Sequence, residues 1–103
     1  ITDQLDKAGL RQKVMIDFSH ANSLKQFQRQ LVVSEDVGSQ IADGNDAIFG
    51  VMIESHLVEG RQDIVDGKVA TYGQSITDAC IGWADTEKVL RQLAGDVSKR
   101  RQK

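Results

Sequence analysis

The sequence is poor in residues that mark several classes of protein. Its 103 residues include no proline, so proline-rich segments are excluded, and Cys80 is the only cysteine. A single thiol rules out an intrachain disulfide and suits a reducing cytoplasm. No apolar run approaches the roughly 18 residues of a membrane span, and the N-terminus lacks the charged-then-apolar pattern of a signal peptide. We therefore expect a cytoplasmic protein with no membrane partner.

Charge and length set further bounds. The 13 lysines and arginines nearly balance the 15 aspartates and glutamates, so the net charge of -2 gives no reason to expect a nucleic-acid partner. The apolar fraction of 40% is enough for a core, and the length suits one domain or part of one. The chain begins at Ile1 within a helix predicted over residues 2–10. We expect an excised or truncated piece, although processing could also remove an initiator methionine.

Two apolar runs, residues 14–20 and 47–55, predict β-strands. The first run shows little alternation apart from Asp17, which is typical of a strand covered on both faces. A helical pattern lies between the runs, and a right-handed crossover of this kind makes the two strands parallel. His20 and Glu54 end the two strands, so we expect them to lie close together at one edge of a sheet. In α/β proteins that edge is where ligands bind.

Turn and spacing signals predict two long helices. The first covers about residues 23–43, with a capping box over residues 23–26. The second covers about residues 86–101 and is capped by Asp85 or Thr86. Their predicted apolar stripes are Leu24, Phe27, Leu31, Val37 and Ile41 in the first helix, and Val89, Leu90, Leu93 and Val97 in the second.

A long predicted loop, residues 57–84, separates the second strand from the last helix. Asp66 and Gly67 within it predict a hairpin turn, because this dipeptide is flanked by short apolar pairs. Connections from a strand to a helix usually take about 2–6 residues. Long loops at the carboxyl edge of a sheet are often functional, and this one leads back over that edge to Asp78.

One imidazole and two carboxylates, from His20, Glu54 and Asp78, form the main candidate site. These donors suit a hard or borderline divalent metal. No short ligand motif contains them. The prediction of a metal or catalytic site therefore depends on their positions, at two strand ends and after the long loop that leads back over them. The alternative is that His20 and Glu54 cap strand ends in solvent and that Asp78 caps a helical turn. Asp17 is predicted to point away from His20 and, as a buried carboxylate, to need a lysine, arginine or backbone partner.

Three other residues near the candidate site have two interpretations each. His56 shares a strand face with Glu54 and is either a further ligand or base, or a residue that packs the loop. Cys80 is either a buried small residue or a thiol close enough to reach a metal or be oxidised. Trp83 is interpreted as a packing residue.

Three segments carry a resemblance to a known family. They are IDFSHANS (residues 16–23), GVMIESHLVEG (50–60) and YGQSITDACIGW (72–83). They closely resemble the C-terminal part of the bacterial class I 3-deoxy-D-arabino-heptulosonate 7-phosphate (DAHP) synthases, also called phospho-2-dehydro-3-deoxyheptonate aldolases. The similarity runs in order over essentially the whole chain. It implies that residues 1–103 are the C-terminal portion, about two βα units, of a single (β/α)8 TIM-barrel domain.

The resemblance also implies an activity. The family condenses phosphoenolpyruvate with erythrose 4-phosphate at the first step of the shikimate pathway to aromatic amino acids, and it needs a divalent metal, which would be Mn²⁺ or Fe²⁺. The similarity implies that His20, Glu54 and Asp78 are metal ligands, and that His20 and Asp78 are also catalytic. The family's cysteine ligand, phosphate-binding arginines and lysines, and feedback site would lie upstream of Ile1.

We therefore expect the parent protein to be a homo-oligomeric DAHP synthase and the 103-residue piece alone to be inactive. One alternative is a non-catalytic structural or interaction fragment that keeps the ligand residues. A third interpretation, a small stand-alone metal-binding α/β module, needs a fourth ligand within the chain, with His56 the first candidate. The isolated chain is also expected to self-associate, because it would expose strand edges and apolar faces.

Overall fold

The computed structural model describes residues 1–23 and 26–103, which form a mixed α/β arrangement of helices and two small parallel sheets. In chain order the elements are α1 (Thr2–Lys7), β1 (Val14–Asp17), a 3-10 turn (His20–Ser23), α2 (Arg29–Ala42), β2 (Ile48–Met52), β3 (Val58–Arg61), β4 (Gln74–Ser75) and α3 (Trp83–Arg101). The α/β class expected from the sequence is confirmed. Within the described ranges, no helix is long and apolar enough to cross a membrane.

The predicted parallel pairing of the two apolar strands is confirmed. β1 and β2 lie side by side, and their register ends where Asp17 faces Met52. Both strands are shorter than the predicted 14–20 and 47–55. The first ends early because the backbone turns into the 3-10 turn that begins at His20, where φ is +52°.

One face of this sheet holds the core. Residues of α2 and of α3 share one core with the sheet, so both helices pack over the same face. The buried apolar residues are Phe18, Val37, Ile41, Ile48, Ile81 and Val89. A side chain at Gly38 of α2 would meet Asp96 and Gln92 of α3, so the glycine lets these helices approach closely.

The opposite face of the sheet is open. Met15 is 58% exposed and Phe49 is 65% exposed. In this chain α2 and α3 cover the first strand on one face only, so the exposed apolar face expected of the isolated chain is present, and cover on both faces stays a prediction for the whole barrel. Trp83 is 56% exposed as well, so the structure does not support its predicted packing role.

The start of α2 differs from the prediction. The helix begins at Arg29, not near residue 23, and its N-cap residue Gln28 makes no side-chain capping hydrogen bond. The predicted capping box is wrong because Ser23 belongs to the 3-10 turn, where its hydroxyl donates to the carbonyl of His20 at 3.3 Å. Leu24, predicted on the apolar stripe, lies outside the described residues. Phe27 precedes the helix but still packs against the core.

The last helix begins earlier than predicted, at Trp83. Its N-cap is Gly82, and no side chain caps it, so Asp85 and Thr86 are not caps. The Thr86 hydroxyl instead donates to the Gly82 carbonyl at 2.8 Å. Of the predicted stripe, Val89 is buried and Leu90 is mostly exposed. Val97 and Leu93 are partly buried against the core.

The predicted loop over residues 57–84 is more ordered than expected. β3 and β4 pair in parallel within it, and Val65 and Lys68 exchange two backbone hydrogen bonds of 2.9 Å. The turn between them has positive φ at both Asp66 and Gly67, so the predicted hairpin is confirmed. Cys80 then forms an antiparallel bridge with Gly60 of β3, and Ile81 forms a parallel bridge with Ser55, just beyond the end of β2.

Candidate metal centre

The structure brings His20, Glu54 and Asp78 together. One donor atom from each lies within 4.8 Å of the others. His20 Nε2 is 3.7 Å from Glu54 Oε1 and 3.4 Å from Asp78 Oδ2. The sequence-based expectation that His20 and Glu54 meet at one sheet edge is thus confirmed, and Asp78 reaches the same point from the long excursion that follows β2.

This donor set fits a divalent cation. Imidazole nitrogens and carboxylate oxygens bind such ions at about 2.0–2.2 Å, so two donors at a right angle around one ion lie about 3 Å apart. The separations of 3.4 and 3.7 Å are close to that spacing, and small side-chain rotations would bring the donors to it. Nitrogen and oxygen donors in this ratio suit manganese, iron or zinc better than calcium.

The position of His20 depends on an unusual backbone conformation. Its φ of +52° is uncommon for a residue with a side chain, although histidine tolerates it better than bulky branched residues do. The side-chain amide of Asn22 donates to the Asp17 carbonyl at 2.7 Å, and the Ser23 hydroxyl donates to the His20 carbonyl. These bonds hold the turn closed. Strained backbone of this kind persists where the surroundings determine it, and it is frequent at functional sites.

Asp17 orients the imidazole of His20. Its Oδ2 lies 2.8 Å from His20 Nδ1, and its Oδ1 accepts hydrogen bonds from the Ser19 amide at 2.8 Å and the Ser19 hydroxyl at 2.6 Å. An ionised carboxylate only accepts, so Nδ1 carries the proton, and the lone pair of Nε2 is free to bind a cation held between His20, Glu54 and Asp78. Metal-binding histidines usually have such a partner.

The predicted environment of Asp17 is therefore correct in one respect and wrong in another. A backbone partner is present, namely the Ser19 amide. The side chain, however, is 37% exposed and turns towards His20, not away from it. The alternation of a regular strand predicted the opposite orientation, but β1 ends at Asp17 and the following turn brings the imidazole back over the carboxylate.

The charges at the site shift two pKa values. The hydrogen bond that His20 donates to Asp17 raises the pKa of His20, and the negative charge of Glu54 adds to this effect while desolvation opposes it. The hydrogen bond from the Ser19 hydroxyl lowers the pKa of Asp17. The carboxylates around His20 thus stabilise positive charge at this position, which is the electrostatic requirement for holding a cation.

Two residues that the sequence analysis missed fix the backbone of the site. Gln30 of α2 is 1% exposed and bonds to the main chain of Glu54. Arg61 of β3 donates through Nε to the Thr77 carbonyl at 2.8 Å, next to Asp78. A glutamine on the buried side of α2 signals a buried amide that needs partners, but it does not identify the main chain of Glu54 as the partner. Both residues line a cavity of about 250 Å³ that also contains the three candidate ligands.

The remaining sequence candidates lie outside the cluster. His56 is exposed, its Nδ1 accepts a hydrogen bond from the Leu57 amide at 2.8 Å, and it does not join the metal-capable group found within the described ranges. The stand-alone metal module therefore loses its predicted fourth ligand. Cys80 is buried, with Sγ 3.5 Å from the Asp78 carbonyl, and burial raises the pKa of its thiol. Its interpretation as a buried small residue is confirmed.

Comparison with known proteins identifies the family. Residues 2–91 match the sequence model of the DAHP synthetase I family. The chain belongs to this family. The resemblance carried by the three segments around His20, Glu54 and Asp78 is thereby confirmed, and these segments lie within the matched residues.

Members of the DAHP synthetase I family from three organisms show how far the similarity extends. The chain is 63% identical over 97 residues to the phospho-2-dehydro-3-deoxyheptonate aldolase of Haemophilus influenzae, covering 94% of this chain and 27% of that protein. It is 60% identical over 101 residues to the Phe-sensitive aldolase of Escherichia coli K12, covering 98% of this chain and 29% of that protein. The solved structure of the aldolase from Francisella tularensis SCHU S4 superposes with a TM-score of 0.87 at 51% identity. The superposition covers 95% of this chain and 28% of that one. The chain thus spans less than a third of the length of these relatives.

Proposed function

We propose that this chain is the C-terminal segment of a metal-dependent DAHP synthase. In that protein it would supply about two βα units of a (β/α)8 barrel, within a single domain. The observation that carries the proposal is the convergence of His20, Glu54 and Asp78 at the carboxyl edge of two parallel strands. Parallel barrels build their active sites at this edge, and the chain belongs to a family of DAHP synthetases.

The proposed reaction joins phosphoenolpyruvate to erythrose 4-phosphate, in the cytoplasm and in a homo-oligomer. His20, Glu54 and Asp78 would hold a divalent ion, Mn²⁺ or Fe²⁺, which when bound polarises the aldehyde as a Lewis acid. Asp17 keeps the His20 Nε2 lone pair directed at the cluster through the 2.8 Å bond to Nδ1. These roles follow from the donor chemistry and from the family to which the chain belongs.

His20 and Asp78 are also proposed as catalytic residues. Their Nε2 and Oδ2 atoms are 3.4 Å apart, and the Asp78 side chain is 65% exposed at the mouth of the cavity. Both residues line the cavity through which a substrate would enter, so each could contact the reacting groups. Glu54 is less exposed, at 21%, and is proposed as a ligand only.

The isolated chain is proposed to be inactive. Two phosphorylated substrates need several cationic donors to be held and oriented. In the described ranges, Arg61 is the arginine or lysine that lines the cavity, and its guanidinium already bonds to Asp63 at 2.7 Å. One engaged cation is not enough for two anionic substrates.

A chimaera tests the proposed activity. This chain would replace the matching part of the E. coli Phe-sensitive relative, to which it is 60% identical. With Mn²⁺, we expect the chimaera to consume phosphoenolpyruvate only when erythrose 4-phosphate is present, and we expect His20→Ala to abolish this. The isolated chain should consume neither substrate. A folded chimaera that is inactive, or one that His20→Ala leaves active, would contradict the proposal.

The second candidate is a non-catalytic structural or interaction fragment. The exposed side chains of Met15 and Phe49 on the open face of the sheet favour it, because such a surface can dock against other protein. The chimaera distinguishes the two functions. Catalysis dependent on His20 supports the synthase, whereas a folded but inactive chimaera supports the fragment.

A further inference from the structure

Gln30 contacts the candidate ligand Glu54 through two hydrogen bonds to its backbone. Gln30 Nε2 donates to the Glu54 carbonyl at 3.0 Å, and the Glu54 amide donates to Gln30 Oε1 at 2.9 Å. The glutamine side chain is buried, and the two residues are 24 positions apart in the chain. Both polar atoms of this buried side chain thus form hydrogen bonds to one residue of the site, Glu54.

The position of these bonds relative to the sheet explains their role. Register between β1 and β2 ends at Asp17 and Met52, and the Phe18 amide makes one further bond to the Met52 carbonyl at 2.8 Å. Glu54 lies beyond that point, where β1 has turned away into the His20 turn. A side-chain amide carries the same donor and acceptor as a peptide group. Gln30 therefore pairs with Glu54 as a neighbouring strand would.

The other side of the Glu54 carbonyl is also held. The Ile81 amide donates to the same oxygen at 3.0 Å, and the His56 amide donates to the Ile81 carbonyl at 3.0 Å. The backbone of Glu54 is thus fixed between α2 and the segment that follows Asp78. With its backbone fixed on both sides, the Glu54 carboxylate has few ways to leave the cluster.

We propose that Gln30 is a positioning residue that holds Glu54 at the cation site through its backbone. The inference takes one thing from the proposed function, namely that the ligand of the site is a divalent cation. Neither leucine nor glutamate can replace the amide, because leucine has no polar atoms and an ionised glutamate cannot donate to the carbonyl. Asparagine has the right groups but is shorter by one methylene.

The test is a Mn²⁺ titration of the chain, with free Mn²⁺ followed by electron paramagnetic resonance. We expect Gln30→Leu and Gln30→Asn to weaken Mn²⁺ affinity by roughly 10- to 100-fold, the range found for residues that orient metal ligands. Amide hydrogen exchange at Glu54 should be faster in both variants. The asparagine variant keeps a polar side chain, so it can be used for the Mn²⁺ titration if the leucine variant fails to fold.

Gln92 provides a matched control. It is a glutamine of α3 whose Nε2 donates to the Ser34 carbonyl at 2.9 Å and whose Oε1 accepts from the Ser34 hydroxyl at 3.3 Å. Gln92→Leu also removes a side-chain amide that bonds to another element, here α2, but away from the cluster. We expect it to lower thermal stability while leaving Mn²⁺ affinity within about twofold, since no ligand backbone depends on it.

Three results would overturn the inference. They are unchanged Mn²⁺ affinity in both Gln30 variants, an equal loss in Gln92→Leu, and no Mn²⁺ binding by the folded wild-type chain. None of them decides the proposed synthase activity, which the chimaera measures by substrate consumption. If the chimaera is active and Gln30→Asn changes neither its activity nor its Mn²⁺ affinity, Gln30 has no positioning role. The proposed function would still be supported.

Discussion

His20 Nδ1 lies 2.8 Å from Asp17 Oδ2, so the first predicted metal ligand is oriented by a carboxylate three residues earlier in the chain. The two residues belong to different conformations, Asp17 to the end of β1 and His20 to a turn with positive φ. The contact thus links the sheet edge directly to the imidazole. It also determines which ring nitrogen is free to bind a cation.

Asp17→Asn should therefore weaken cation binding without unfolding the chain. An amide cannot reproduce the charged partner of the imidazole, and we expect Mn²⁺ affinity to fall roughly 10- to 100-fold. Isothermal titration calorimetry would measure it. Asp46→Asn is the control, because that carboxylate is 89% exposed and lies 4.0 Å from Lys13, away from the cluster. Equal affinities of Asp17→Asn and wild type would show that the contact does not orient His20.

Cation binding should stabilise the folded chain. A ligand at a hundredfold excess over its Kd contributes about 2.7 kcal/mol, which for a domain of this size raises Tm by about 10 °C or more. We expect Mn²⁺ to raise Tm of the wild type and to have little effect on Glu54→Gln or Asp78→Asn, which each remove one candidate ligand. Glu35→Gln removes an exposed carboxylate of α2 and should keep the full shift. A Mn²⁺ shift that persists in Glu54→Gln would place the cation elsewhere.

The core and the open face of the sheet should respond differently to loss of an aromatic ring. Phe18 is fully buried, so Phe18→Ala should lower the free energy of unfolding by about 3–5 kcal/mol. Phe49→Ala removes the same ring from a side chain that is 65% exposed in the monomer, so at concentrations low enough to keep the chain monomeric it should change the free energy of unfolding by about 0.5 kcal/mol or less. Urea denaturation followed by circular dichroism compares the two. Similar losses in both variants would mean that the open face is covered in solution.

Sequence patterns were sufficient for the strand–helix–strand unit and for the meeting of His20 with Glu54. Buried parallel strands are continuous apolar runs, and the end of each run marks the sheet edge. The start of α2 was not predictable in the same way, because Ser23 has the chemistry of a helix cap but is used by the turn at His20. The Ser23 hydroxyl could cap a helix or bond to the His20 carbonyl, and in the structure it bonds to the carbonyl.

The backbone contacts of the site were beyond sequence analysis for another reason. Gln30 bonds to the main chain of Glu54, and main-chain groups leave no trace in residue identity. Arg61 likewise bonds to the Thr77 carbonyl across the excursion between β2 and α3. The sequence pattern identifies candidate ligands by their side chains. The residues that hold those ligands become visible only once the elements are packed.

The open sheet face leads to the last prediction, that the isolated chain self-associates. Met15 and Phe49 are more than half exposed, and in the described part of the chain β1 and β2 each have one unpaired edge. Exposed apolar surface beside free strand edges favours association. We expect sedimentation velocity to show oligomers of the wild type and a shift towards monomer when Met15→Lys and Phe49→Lys are combined. Val32→Lys alters a 60% exposed apolar residue of α2 and should leave the oligomers intact. A compact wild-type monomer at high concentration would contradict the prediction, because the open face would then be tolerated in water.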